Sequence, residues 1–193
     1  ANPLGYLKYT YTASEIQPDM LNADITQTTD SPSWGGLYLQ YFEKFDQVQQ
    51  QKGILSVTKK LFIEKIGSDG KQELLPLGKE KLKTGDKVIT RLTLSLKQDM
   101  DFLYLKDFRA ACFEPIGQLS GNQWKFGTVY YEESKDAVTN FFFNSLAKGT
   151  YVLEYPVWVN QAGTYQDGIA TFQSMYAPEY TAYSEAGKIT VTK

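Results

Sequence analysis

The chain has no histidine and a single cysteine among its 193 residues. The first absence removes the commonest general base and the commonest metal ligand, so neither a Ser-His-Asp nor a Cys-His arrangement can be assembled within it. A site built from carboxylates alone stays open. The second absence leaves Cys112 without an internal disulfide partner. It does not fix the redox compartment, because an oxidising location permits disulfides without requiring them. No apolar run approaches the roughly 20 residues that a membrane-spanning helix needs. Neither sign of charge dominates: the net charge is −2, so bulk electrostatics favour neither nucleic acid nor an anionic membrane. No window carries a long, capped helical period, and no internal repeat is evident.

What is abundant is aromatic: 14 tyrosines and 11 phenylalanines, which suit half-buried strands. Alternation of period two recurs. Val88, Thr90, Leu92, Leu94 and Leu96 share one face of a strand, and Tyr151, Leu153, Tyr155, Val157 and Val159 share one face of another. Further strands are predicted at Tyr6–Thr12, Leu21–Thr26, Gly36–Phe42, Leu55–Ile66, Phe102–Lys106, Thr128–Tyr131, Asn140–Phe143, Ile169–Met175 and Lys188–Thr192. Ser68-Asp69-Gly70-Lys71 reads as a hairpin tip. Thr84-Gly85-Asp86, Lys148-Gly149 and Gln161-Ala162-Gly163 read as turns. Pro156 belongs at an edge or a bulge, since it cannot donate to a ladder. Ser134–Thr139 is expected to make one helical turn, and Phe42–Gln51 an irregular or short helical piece. Many short strands with glycine-rich turns predict an all-β fold, an antiparallel two-sheet β-sandwich over residues 1–193 as a single domain. Residues 1–50 are expected to supply its first strands and an aromatic segment.

Three pieces fall in order at predicted junctions of strand and turn. They are Asp107-Phe108-Arg109-Ala110-Ala111-Cys112-Phe113-Glu114-Pro115, Lys148-Gly149-Thr150-Tyr151-Val152-Leu153-Glu154-Tyr155 and Ser174-Met175-Tyr176-Ala177-Pro178-Glu179. Together they resemble the C-terminal macroglobulin-type (MG10-like) domain of bacterial alpha-2-macroglobulin-like proteins, a macroglobulin or immunoglobulin-like sandwich. The resemblance is strongest over residues 82–193. Trp34–Glu43 is also similar to an aromatic segment of relatives from Bacteroides-type bacteria.

The resemblance implies a non-catalytic structural or interaction domain with no cofactor and no metal. Its partners would be other domains of the same parent polypeptide, and proteases only through that parent. It would make no contact with nucleic acid or membrane itself. The parent would be a protease inhibitor, membrane-anchored in the periplasm or cell envelope, and a start at Ala1-Asn2-Pro3 is expected to reflect excision from it. Thioester-bearing members use Cys-x-Glu-Gln; here Cys112-Phe113-Glu114-Pro115 has Pro where the Gln acyl group is required, so no thioester forms at this tetrapeptide. In such members a methionine of the last domain shields the thioester from water. By its place in Met-Tyr-x-Pro-Glu, Met175 matches that methionine. Met175, Tyr176 and Trp34 are therefore the candidate interdomain-contact or thioester-shielding residues. The plainer reading is that Met175 and Tyr176 end a strand and pack under the next loop.

Other constellations have plain readings. Asp99, Asp101 and Asp107 lack the glycine-turned loop of a calcium site and read as solvated strand ends. Glu132, Glu133 and Asp136 read as a loop between strands. Trp34, Tyr38, Tyr41, Trp124, Tyr130, Tyr131, Trp158 and Tyr165 suit core or interdomain packing; the alternative is a carbohydrate-binding sandwich of the cell envelope.

Overall fold

The computed structural model describes residues 5, 7–28, 30–44, 47–78, 81–117, 119–125 and 127–193. The chain divides into two units, Ala1–Tyr41 and Phe42–Lys193.

Among its described residues, the first unit contains one 3-10 turn, Pro18–Leu21, and no strand. The strands expected at Leu21–Thr26 and Gly36–Phe42 do not form, nor does one over 7–12; Tyr6 lies outside the described residues. Alternation marks a chain able to extend, but a strand also needs a partner to take up its main-chain groups. Of the irregular or short helical piece expected over Phe42–Gln51, Phe45 and Asp46 lie outside the described residues; Gln47 donates its N–H to the Lys44 carbonyl at 2.9 Å.

The second unit is the sandwich. Among the described residues its strands are β1 (Leu55–Ile66), β2 (Gln72–Pro76), β3 (Leu82–Lys83), β4 (Lys87–Leu96), β5 (Met100–Phe108), β6 (Phe113–Pro115), β7 (Gly121–Lys125), β8 (Thr128–Ser134), β9 (Val138–Leu146), β10 (Gly149–Val159), β11 (Gly163–Asp167), β12 (Ala170–Ser174), β13 (Thr181–Tyr183) and β14 (Gly187–Thr192). A five-stranded sheet runs β2-β1-β4-β10-β6, and a six-stranded sheet runs β13-β12-β5-β9-β8-β7. A small third sheet, β11-β14-β3, has the one parallel pair among them, β14 with β3.

The long strands behave as their alternation requires. In β4, Val88, Thr90, Leu92, Leu94 and Leu96 are buried, and in β10 so are Leu153, Tyr155, Val157 and Val159. Each fully buried aliphatic side chain contributes about 1.5–3 kcal/mol relative to exposure. The six-stranded sheet answers with Leu103, Leu105, Phe141, Phe143 and Phe172. The rings of Phe141 in β9 and Tyr155 in β10 lie 6.1 Å apart, joining the two faces across the core.

Turn chemistry holds where a left-handed residue is needed. The Ser68–Lys71 tip closes with Gly67 N–H on the Lys71 carbonyl at 2.8 Å, and Gly70 sits at φ +78°. The Pro156 carbonyl accepts from Ile116 N–H at 3.2 Å. Its main chain thus faces the side on which the three-residue β6 ends, and the missing donor interrupts no long ladder. The helical turn expected at Ser134–Thr139 is instead the tip of the β8–β9 hairpin, with Lys135 and Val138 exchanging main-chain bonds at 2.8 and 3.3 Å.

Candidate functional site

The candidate contact lies at one end of the six-stranded sheet, where β12 leaves its partner β5. The ladder between them runs from Ala170↔Asp107 to Ser174↔Leu103. One step further, Met175 donates its N–H to the Phe102 carbonyl at 2.9 Å. The chain then turns through a loop that its own polar groups fix. Ala177 N–H donates to Ser174 Oγ at 3.2 Å, Ser174 N–H to the Tyr180 carbonyl at 3.0 Å, and Thr181 Oγ1 to the Pro178 carbonyl at 2.6 Å. The loop is pinned while its apolar side chains point out: Met175 is 48% exposed and Tyr176 79%.

A third apolar residue joins them that the alternation pattern does not single out. Phe102 is 48% exposed, and its ring meets Tyr176 edge-on, 5.3 Å between centroids at 87°. Its φ is +52°; it is the only non-glycine with positive φ among the described residues. Nothing in the alternation of Phe102–Lys106 signals this. Trp34, the third candidate, belongs to the other unit and is 89% exposed.

The strongest electrostatic feature is inside the sandwich; Asp107 and Arg109 open the first family-like piece, but nothing in the sequence pairs them with Lys59 or Asp167. Lys59 of β1 places its ammonium 3.0 Å from Asp107 Oδ1 and 2.9 Å from Asp167 Oδ1. It also donates to the carbonyls of Phe108 at 2.7 Å and Gly168 at 2.9 Å. Tyr155 Oη donates to Asp107 Oδ2. Arg109 donates to Thr139 Oγ1 and to the carbonyls of Lys135 and Asp136. Burial pushes the Asp107 and Asp167 carboxyls above their ordinary range, against the pull of Lys59. Burial acts to lower the Lys59 ammonium, but the two carboxylates outweigh it and hold it above its ordinary value, hence charged. Asp107 is thus no solvated strand end; it is fully buried. The group ties β1, the end of β5 and the β11–β12 connection together, and the Lys59 ammonium is directed entirely at internal acceptors.

The remaining candidates are scattered. Asp99, in the β4–β5 connection, accepts from Lys148 N–H of the β9–β10 connection at 2.7 Å, away from buried Asp107. Glu132 pairs with Phe141 and Glu133 with Asn140, so the two carboxyls leave β8 on opposite faces. Cys112 is buried and burial pushes its thiol up to about 11, so that it stays protonated at neutral pH. Of the aromatics in this unit, Tyr130 is core, Trp124 and Tyr131 are exposed on the six-stranded sheet, and Trp158 is exposed on the five-stranded one. Among the described residues no group of three or more His, Cys, Asp or Glu is placed to hold a metal ion. No helix among them is long and apolar enough to cross a membrane.

The model of the bacterial alpha-2-macroglobulin MG10 domain matches residues 55–179. Among solved structures, Salmonella alpha-2-macroglobulin reacted with methylamine is similar at 20% identity and a TM-score of 0.58, over 76% of this chain and 10% of that one. Trypsin-activated alpha-2-macroglobulin from Escherichia coli is similar at 17% identity and 0.57, over 76% and 11%. The native E. coli protein spanning domain MG7 to the C-terminus is similar at 18% and 0.55, over 75% and 24%. No curated protein matches. The chain thus spans a small fraction of each of these structures, and at these identities they bear on the fold alone.

Proposed function

Because the chain belongs to the bacterial alpha-2-macroglobulin MG10 domain family, we propose that it is a non-catalytic structural domain of a periplasmic, protease-inhibiting alpha-2-macroglobulin. In this reading it packs against other domains of the same polypeptide, and proteases meet it only through that parent. The observation that carries the reading is the exposed apolar pair Met175–Tyr176, held out from the sandwich by a loop that its own hydrogen bonds pin. Apolar side chains left half or more exposed on a pinned loop suit a surface that another domain covers. Where the parent bears a thioester, a methionine suits the covering role, since it is apolar and polarisable and excludes water from the electrophile. Trp34 is proposed as a second contact on the strength of its exposure.

Replacing Met175 and Tyr176 together by Ala tests this. The 193-residue chain should lose no more than about 1 kcal/mol, as for surface positions, measured from urea unfolding midpoints. In the complete gene product the same pair should loosen domain packing, seen as faster hydrogen exchange over 174–177. A loss of several kcal/mol in the 193-residue chain would mark both residues as core and end the contact reading.

A further inference from the structure

Phe102 occupies a backbone conformation that its side chain opposes. A positive φ brings Cβ against the following carbonyl, which is why glycine, asparagine and aspartate fill such places and bulky residues rarely do. The register with β9 is the same on either side, Asp101 facing Ser145 and Leu103 facing Phe143, while Phe102 itself drops out of the ladder. The φ of +52° is therefore confined to a single residue. Nor does this turn draw the ring into the core, since Phe102 stays 48% exposed. The strain is held for what the residue touches. Its carbonyl accepts the Met175 N–H at 2.9 Å, and its ring buttresses Tyr176 edge-on at 5.3 Å. Both partners are exposed residues of the proposed contact. Strained backbone concentrates where it fixes a functional posture.

We infer that Phe102 is the positioning residue of this contact. Its turned carbonyl and its ring hold Met175 and Tyr176 together, so that the three side chains form one apolar knob for an apolar recess on another domain of the same polypeptide. The inference rests on the reading of Met175 and Tyr176 as an interdomain contact. It adds a residue from a different strand and a mechanism: the knob is set before docking, so that docking need not order it.

Phe102→Gly separates posture from stability, because glycine accepts the backbone conformation and lacks the ring. In the 193-residue chain this variant should unfold at a midpoint no lower than the parent chain, while the NMR cross-peaks between Tyr176 and residue 102 vanish and the ring-current shifts around Tyr176 and Met175 collapse. A clear fall in midpoint would identify Phe102 as a packing residue and overturn the inference. In the complete gene product, residues 174–177 should exchange amide hydrogens more slowly than in the 193-residue chain, and Phe102→Gly should remove that protection as fully as Met175→Ala with Tyr176→Ala. Protection lost with the double variant but kept with Phe102→Gly sinks the positioning role and leaves the contact standing. Identical exchange in the two settings sinks the contact and the positioning role with it.

Discussion

Lys59 stands at an inward place in β1, between Val57 and Leu61, where the alternation calls for an apolar side chain. Its side chain is 3% exposed, and it survives there because four oxygens surround its ammonium, from Asp107, Asp167, Phe108 and Gly168. A buried charge is tolerated only when paired and hydrogen-bonded. Lys59→Met keeps the stem and deletes the charge, leaving two buried carboxyls facing each other. We expect a loss of about 3–5 kcal/mol, the usual cost of removing one partner of a buried pair. The loss should depend on pH with a definite sign. Asp107 and Asp167 already titrate above the ordinary 3.8 through burial, and removing Lys59 raises them further. The folded variant then holds protons that the unfolded chain has released, so its stability falls as pH rises from about 4 through the raised values. Urea midpoints of variant and parent should lie closer at pH 5 than at pH 8. A gap that widens toward acid would show that the carboxyls are not the cause.

At the scale of elements, the long strands were legible, as were β12 and β14 at Ile169–Met175 and Lys188–Thr192, while the shortest were not. β1, β4 and β10 are 10 to 12 residues long, enough for an alternation to be read. β3 and β6 have two and three residues, and no period can be read in so few. Conversely, strand-like alternation in the first unit gave no strand, because sequence shows which face a strand would bury and not whether a partner is present. The β11–β12 connection shows a close approach that only folding sets. A Cβ on Gly168 would lie 2.3 Å from the Phe108 carbonyl oxygen, and both residues' carbonyls accept Lys59. Gly168→Ala must therefore push the main chains at Phe108 and Gly168 apart, at the ion cluster itself. We expect a loss of at least about 1–3 kcal/mol, as for overpacked sites, read as a lower urea midpoint. An unchanged midpoint would mean that the two segments separate freely and that the Lys59 cluster is not a lock.

For the molecule as a whole, the division between Ala1–Tyr41 and Phe42–Lys193 is the feature most open to test. Leu7, Tyr9, Tyr11, Trp34, Tyr38 and Tyr41 are all more than half exposed and lie outside any strand. Chymotrypsin, which cuts after large apolar residues, should cleave first within 7–41 and leave a persistent fragment beginning near Phe42. Exposed main chain without ladder bonds is what proteases enter. First cuts inside β1–β14 would contradict the division.

The sequence by itself determined the class of fold, the long strands and their inward faces and the Ser68–Lys71 hairpin, because each follows from local periodicity or turn chemistry. It also placed Met175 and Tyr176 in a family motif. Tertiary structure alone decided the rest. Lys59 meets Asp107 and Asp167, which lie 48 and 108 positions further along the chain, and Phe102 takes a positive φ beside Tyr176, 74 positions away. Ion pairs and ring contacts between distant strands depend on which strands become neighbours. That choice is made by the packing of two sheets on one core, and no local pattern of residues encodes it.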